Sequence, residues 1–129
     1  MSAQKKEKAI WAMLDSFFLR VLGEKAGKEV MAESREQAAA FLAASEETSP
    51  SRREIMRTTI LPRVAVYTVL KCRGLDAEKL METYLREVQG PAMRDKYAGL
   101  EWVPRFFEIF RWAFRKATVS NDAWDSTFA

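Results

Sequence analysis

One stretch constrains this chain more than any other: residues 50–74, PSRREIMRTTILPRVAVYTVLKCRG. Its apolar positions are Ile55, Met56, Ile60, Leu61, Val64, Ala65, Val66, Tyr67, Val69, Leu70 and Cys72. From Ile60 onward they cover nearly the whole circumference of a 3.6-residue helix, the pattern of a helix buried among others. Ser49 is placed to cap it, Pro50 suits the first helical position, and Gly74 suits a left-handed residue just past its end. Pro62 lies inside the pattern, where it removes a backbone donor and crowds the preceding turn. A kink is therefore predicted near Thr58 to Leu61.

Composition points the same way. The chain has 129 residues, 48% hydrophobic and 30% charged, which suits one folded domain with a real core. Only five Gly and four Pro stand among many Ala, Leu, Glu, Lys, Arg and Met, favouring helix throughout. The expected fold is an all-α single-domain bundle of about five helices around a kinked central apolar helix. Residues 1–47 carry the first two helices, 48–116 the central, fourth and aromatic helices, and 117–129 an extended tail.

Taken in order, residues 3–22 form a first helix with Ile10, Trp11, Met13, Leu14, Phe17, Phe18, Val21 and Leu22 on its apolar side, ended by Gly23 or Gly27. Residues 28–46 give a weaker, peripheral helix with Val30, Met31, Ala38, Phe41 and Leu42 as a sparse stripe. Asp76 caps a fourth helix whose stripe is Leu80, Met81, Tyr84, Leu85 and Val88, stopped at Gly90-Pro91. A short helical piece follows at 92–98. Residues 100–116 are the most aromatic part, with Val103, Phe106, Phe107, Phe110 and Phe114 on one face. Trp102, Ile109 and Trp112 lie off that face, and Trp124 stands in the tail, so Trp102, Trp112 and Trp124 are the candidate partner interface.

The chemistry left open is narrow. Histidine is absent and Cys72 is the single cysteine, which excludes His-based metal sites, His general bases, Ser-His or Cys-His pairs and internal disulfides within this chain. No metal and no cofactor is expected. Cys72 reads as a small buried hydrophobe at a helix end, where the dipole disfavours a thiolate. A formal charge of +3, from 21 basic and 18 acidic residues, does not mark a nucleic-acid binder. The N-terminus has no signal-peptide block and no apolar run reaches membrane-spanning length, so a cytoplasmic protein without a membrane partner is expected.

Six basic residues of the central stretch (Arg52, Arg53, Arg57, Arg63, Lys71 and Arg73) face Glu54 alone. The plain reading pairs them with acidic residues of the second and fourth helices. The sharper reading makes Arg57 or Arg63, beside the kink, a fork for the carboxylate of a small ligand, with Tyr67 lining the site.

The succession IMRTTILPRVAVYTVLKCRGLDAEKL, YLREVQGP, WVPRFFEIFRWAFRK and NDAW resembles the bacterial L-2-amino-thiazoline-4-carboxylic acid hydrolase-like family over residues 53–124. The resemblance rests on helix order and apolar texture. It implies a helical domain related to enzymes that open the ring of 2-amino-thiazoline-4-carboxylate by carbon–nitrogen hydrolysis, and an amino-acid-like carboxylate as ligand. Members continue into a segment with strands and polar, often cysteine-bearing, residues. With this chain stopping at Ala129, complete catalytic machinery is not expected, and no catalytic residue carries over. The alternative is a non-enzymatic helical interaction module or homo-oligomer, a homodimer or a complex with a partner chain.

Overall fold

The computed structural model describes residues 2–89 and, beyond them, Pro104, Phe107, Glu108, Phe110, Arg111 and Arg115. Among the described residues all regular structure is helical, in the order α1 (Ala3–Leu22), α2 (Glu24–Ala44), α3 (Pro50–Ile55), a π-helical turn (Met56–Ile60), α4 (Leu61–Cys72), α5 (Ala77–Tyr84) and a second π-helical turn (Leu85–Gln89). The fold is all-α, as expected. Pro104, Phe107, Glu108, Phe110, Arg111 and Arg115 are helical too. The Gly90-Pro91 stop, the piece at 92–98 and the tail at 117–129 lie outside the described residues.

α1 starts at Ser2, whose hydroxyl accepts the backbone N–H of Lys5 at 3.2 Å. Trp11, Leu14, Phe17 and Phe18 form its buried face. Gly23 ends it with φ +88°, a conformation that favours glycine, and α2 begins at the next residue.

The second helix departs from expectation. It begins at Glu24, not residue 28, and it is not peripheral, since Gly27, Val30, Met31, Ser34 and Phe41 are buried along it. α2 packs on both α1 and α4. Gly27 explains the difference. A Cβ there would come within 2.8 Å of both the Leu19 Cα and the Phe18 carbonyl oxygen, so this glycine does not break the helix but lets two helix backbones touch. Ser34, fully buried, donates to the Val30 carbonyl at 2.7 Å and needs no other partner.

The central stretch runs from Pro50 to Cys72, and its helical ladder changes at Met56–Ile60, just ahead of Pro62. The irregularity is a π turn: the Leu61 N–H reaches back five residues to the Met56 carbonyl. Widening the ladder just ahead of Pro62 accommodates a residue that has no N–H to donate. Beyond the turn every residue of α4 from Leu61 to Leu70 is buried. At its end Leu75 N–H bonds the Leu70 carbonyl and Gly74 N–H the Lys71 carbonyl, each at 3.0 Å, with Gly74 at φ +74°. This pair of bonds is the Schellman arrangement that satisfies the last carbonyls.

α5 opens on Asp76, which accepts the Lys79 N–H at 3.1 Å, and buries Ala77, Met81 and Tyr84. The core unites these faces: Phe17 and Phe18 of α1 meet Tyr84, while Tyr67 of α4 meets Phe107 and Phe110.

Candidate functional site

Polar groups enter the interior of this bundle mainly at the π turn and along the α4–α5 contact. Thr58, 3% exposed, returns its hydroxyl to the Glu54 carbonyl at 2.8 Å. Arg63 is 5% exposed, and its guanidinium donates to the Thr59 carbonyl at 2.7 Å. The cation thus serves a backbone carbonyl of the widened turn. Tyr84 of α5 lies in the field of the same guanidinium, short of a hydrogen bond of full geometry. Burial pushes the Tyr84 phenol up to about 12, against the opposing pull of Arg63.

One turn further along α4, the Tyr67 hydroxyl donates to Glu78 of α5 at 2.7 Å. Arg111 closes on the same carboxylate, with Nη2 at 2.9 Å from one oxygen and Nε at 3.3 Å from the other. Burial and then the Glu78 hydrogen bond push the Tyr67 phenol well above its ordinary value. Burial pushes the Glu78 carboxyl up. The hydrogen bonds from Tyr67 and Arg111, with the charges of Arg111 and Lys71, outweigh it and hold the group below its ordinary value. Lys71 Nζ stands 5.2 Å from the centre of the Tyr67 ring, and the Arg111 guanidinium 5.5 Å from that of Phe107.

The three candidate ligand-binding residues therefore do not converge. Arg63 and Tyr67 share the side of α4 that meets α5. Arg57 turns to α1 instead, where its Nη1 lies 3.5 Å from Glu7, with both side chains partly exposed. The other basic residues of the stretch divide similarly. Arg73 grips Glu33 and Glu29 of α2, as the plain reading expects. Arg52 pairs with Glu47, and Arg53 donates to the Glu47 carbonyl and to the Leu42 carbonyl at the end of α2. Trp102, Trp112 and Trp124 lie outside the described residues.

Cys72 is a correction. It is exposed, not buried, because α4 loses its cover at its last turn. Burial of its sulfur and then the Glu33 charge push the thiol up, so neither its surroundings nor the helix end activates it. Among the described residues no group of three His, Cys, Asp or Glu could hold a metal, and no helix is long and apolar enough to cross a membrane.

Glu78 and Arg111 are the residues that sequence reasoning missed, whereas Lys71 lends its charge to Glu78 of the fourth helix as the plain reading expects. Glu78 and Glu82 read alike as solvated carboxylates on one helix face. The only sequence signal separating them is that Glu78 sits in the first turn after the Asp76 cap, beside the Leu75 corner. No family model matches the chain, and neither a curated protein nor a solved structure does.

Proposed function

We propose that this chain is a helical domain resembling the L-2-amino-thiazoline-4-carboxylic acid hydrolases, and that it binds a small amino-acid-like carboxylate beside the π turn. Arg57 is the anion-holding group in this reading, Arg63 keeps the turn in shape, and Tyr67 with Glu78 fixes α5 against it. One observation carries the assignment of Arg57. It stands on the widened turn, partly exposed, and its contact with Glu7 is long for a bidentate fork. A ligand carboxylate can replace Glu7 there without opening the core, whereas Arg63 is committed to the Thr59 carbonyl. π turns recur at functional sites in helical proteins, which agrees with this choice. The ring-opening chemistry itself is what the resemblance implies, and no catalytic residue is assigned to it.

Calorimetry with 2-amino-thiazoline-4-carboxylate and with cysteine tests the reading. Binding is expected to weaken by roughly tenfold or more in Arg57→Gln, the loss of a charged hydrogen bond, and to tighten in Glu7→Gln, where the competing carboxylate is gone. No binding by the parent protein sinks it. The alternative, a module that meets a second copy or a partner chain through Trp102, Trp112 and Trp124, is separated by light scattering, since the ligand reading needs no second chain. A cytoplasmic location goes with the ligand reading, whose substrate class is a small metabolite.

A further inference from the structure

The corner where α2 hands over to the central stretch brings a hydroxyl onto a thioether. Ser45, at the end of α2, accepts the Glu47 N–H on its hydroxyl at 3.2 Å and donates from it to the Met56 sulfur at 3.8 Å. Met56 opens the π turn, and both side chains are partly exposed, so a small solute reaches the pair. Three further methionines lie among the described residues. Met31 and Met81 are 2% and 0% exposed in the apolar core. Met13 is partly exposed like Met56, but no described hydroxyl is bonded to its sulfur. A thioether is a weak acceptor, so the Ser45 bond adds little to the fold. A sulfoxide oxygen at Met56 would be a polar acceptor facing a donor already in place. At Met31 or Met81 the same oxygen would enter hydrocarbon, which is unfavourable without a donor.

From these contacts we propose that Met56 is a reversible oxidation site for hydrogen peroxide, and that Ser45 makes it react ahead of the other described methionines. The sulfur lone pair attacks one peroxide oxygen, and an S–O bond forms as the O–O bond breaks. The sulfide loses two electrons and the peroxide gains them. The departing oxygen takes the Ser45 proton and leaves as water. Ser45 recovers the proton left on the transferred oxygen and then donates to that oxygen in the sulfoxide. Enzymes of the methionine sulfoxide reductase class restore the thioether. The modification acts at the joint between the end of α2 and the π turn, and it does not rest on the carboxylate reading, because Arg57 turns to Glu7.

A time course of the folded chain in hydrogen peroxide, read by mass spectrometry of its proteolytic peptides, gives the sulfoxide fraction at each methionine. Met56 is expected to react before Met13, with Met31 and Met81 protected until urea unfolds the chain. In Ser45→Ala the Met56 rate is expected to fall by roughly threefold to tenfold, the loss of one hydrogen bond in the transition state, while the Met13 rate stays the same. Ser45→Thr keeps a hydroxyl at an extended position that suits threonine, and should return the parent rate. Met13 reacting as fast as Met56 in the parent overturns the proposal, and that comparison needs no variant. So does a Met56 rate that Ser45→Ala leaves unchanged or raises.

Discussion

The two sides of α4 are built on different physics. Towards α2 and α1 the contact is made by close backbones and hydrocarbon: Gly27 admits the α1 backbone, and Leu14, Phe17, Phe18, Val30 and Met31 are all within 2% of complete burial. Towards α5 the interior carries the buried Arg63 guanidinium, bonded to the Thr59 carbonyl, the Tyr67 phenol, bonded to Glu78, and the buried Tyr84 phenol beside Arg63. The first side supplies most of the burial and tolerates few changes of volume. The second fixes where α5 sits, because hydrogen bonds made inside a bundle are directional and leave unanswered groups when the register slips.

The comparison breaks most readily on the apolar side. Phe18→Ala is expected to cost about 3–5 kcal/mol in urea unfolding, the lost transfer energy plus an unfilled cavity. Gly27→Leu should cost about 2–3 kcal/mol, and α1 and α2 should separate, because the obstacle is backbone and cannot swing aside. If Gly27→Leu leaves the midpoint unchanged, the close approach described here is wrong.

On the polar side Arg63→Ala should cost about 2–3 kcal/mol, since the Thr59 carbonyl loses its donor. Arg63→Met should cost less, because an apolar chain of similar length fills the space without a charge to desolvate. Equal losses in the two variants would show that the charge itself, and not the space, is what α4 needs.

Tyr67→Phe is expected to cost about 1 kcal/mol at neutral pH, and pH profiles sharpen the point. Both phenols have raised folded values, so their stabilisation is complete below the ordinary tyrosine value near 10 and is lost as pH rises through the folded value, about 12 for Tyr84. Tyr67→Phe and Tyr84→Phe should each flatten this alkaline limb. Glu78 has the opposite sign. Its depressed folded value stabilises the protein above the ordinary carboxylate range, and that contribution disappears on acidification, so Glu78→Gln should flatten the acid limb. The smallest effect belongs to the surface. Asp15, paired with Arg35 at 2.7 and 2.8 Å, should lose less than about 1 kcal/mol on change to Asn, because solvent screens the pair and the Arg35 guanidinium still stacks 4.9 Å from the Trp11 ring centre.

Much of this was legible in the chain. Local signals act over a few residues and survive without a partner, which is why the span of α1, the Ser49-Pro50 start, the Gly74 stop and the Asp76 cap all appear where the residues place them. Phe107 and Phe110, read as one face of the aromatic helix, are both buried against Tyr67. Gly27 was misleading because a glycine inside a helix and a glycine ending one look alike until the neighbouring backbone is in place.

By itself, then, the amino-acid sequence determined that this protein is helical, that its centre is the stretch from Pro50 to Cys72, and that the helix is irregular next to Pro62. Those properties follow from periodicity, capping and a missing N–H, all of them local. Only the tertiary structure decided that the irregularity is a π turn, and that Arg63 serves the Thr59 carbonyl while Arg57 goes to Glu7. A long side chain chooses among acceptors on different helices, and that choice exists only once the helices are packed.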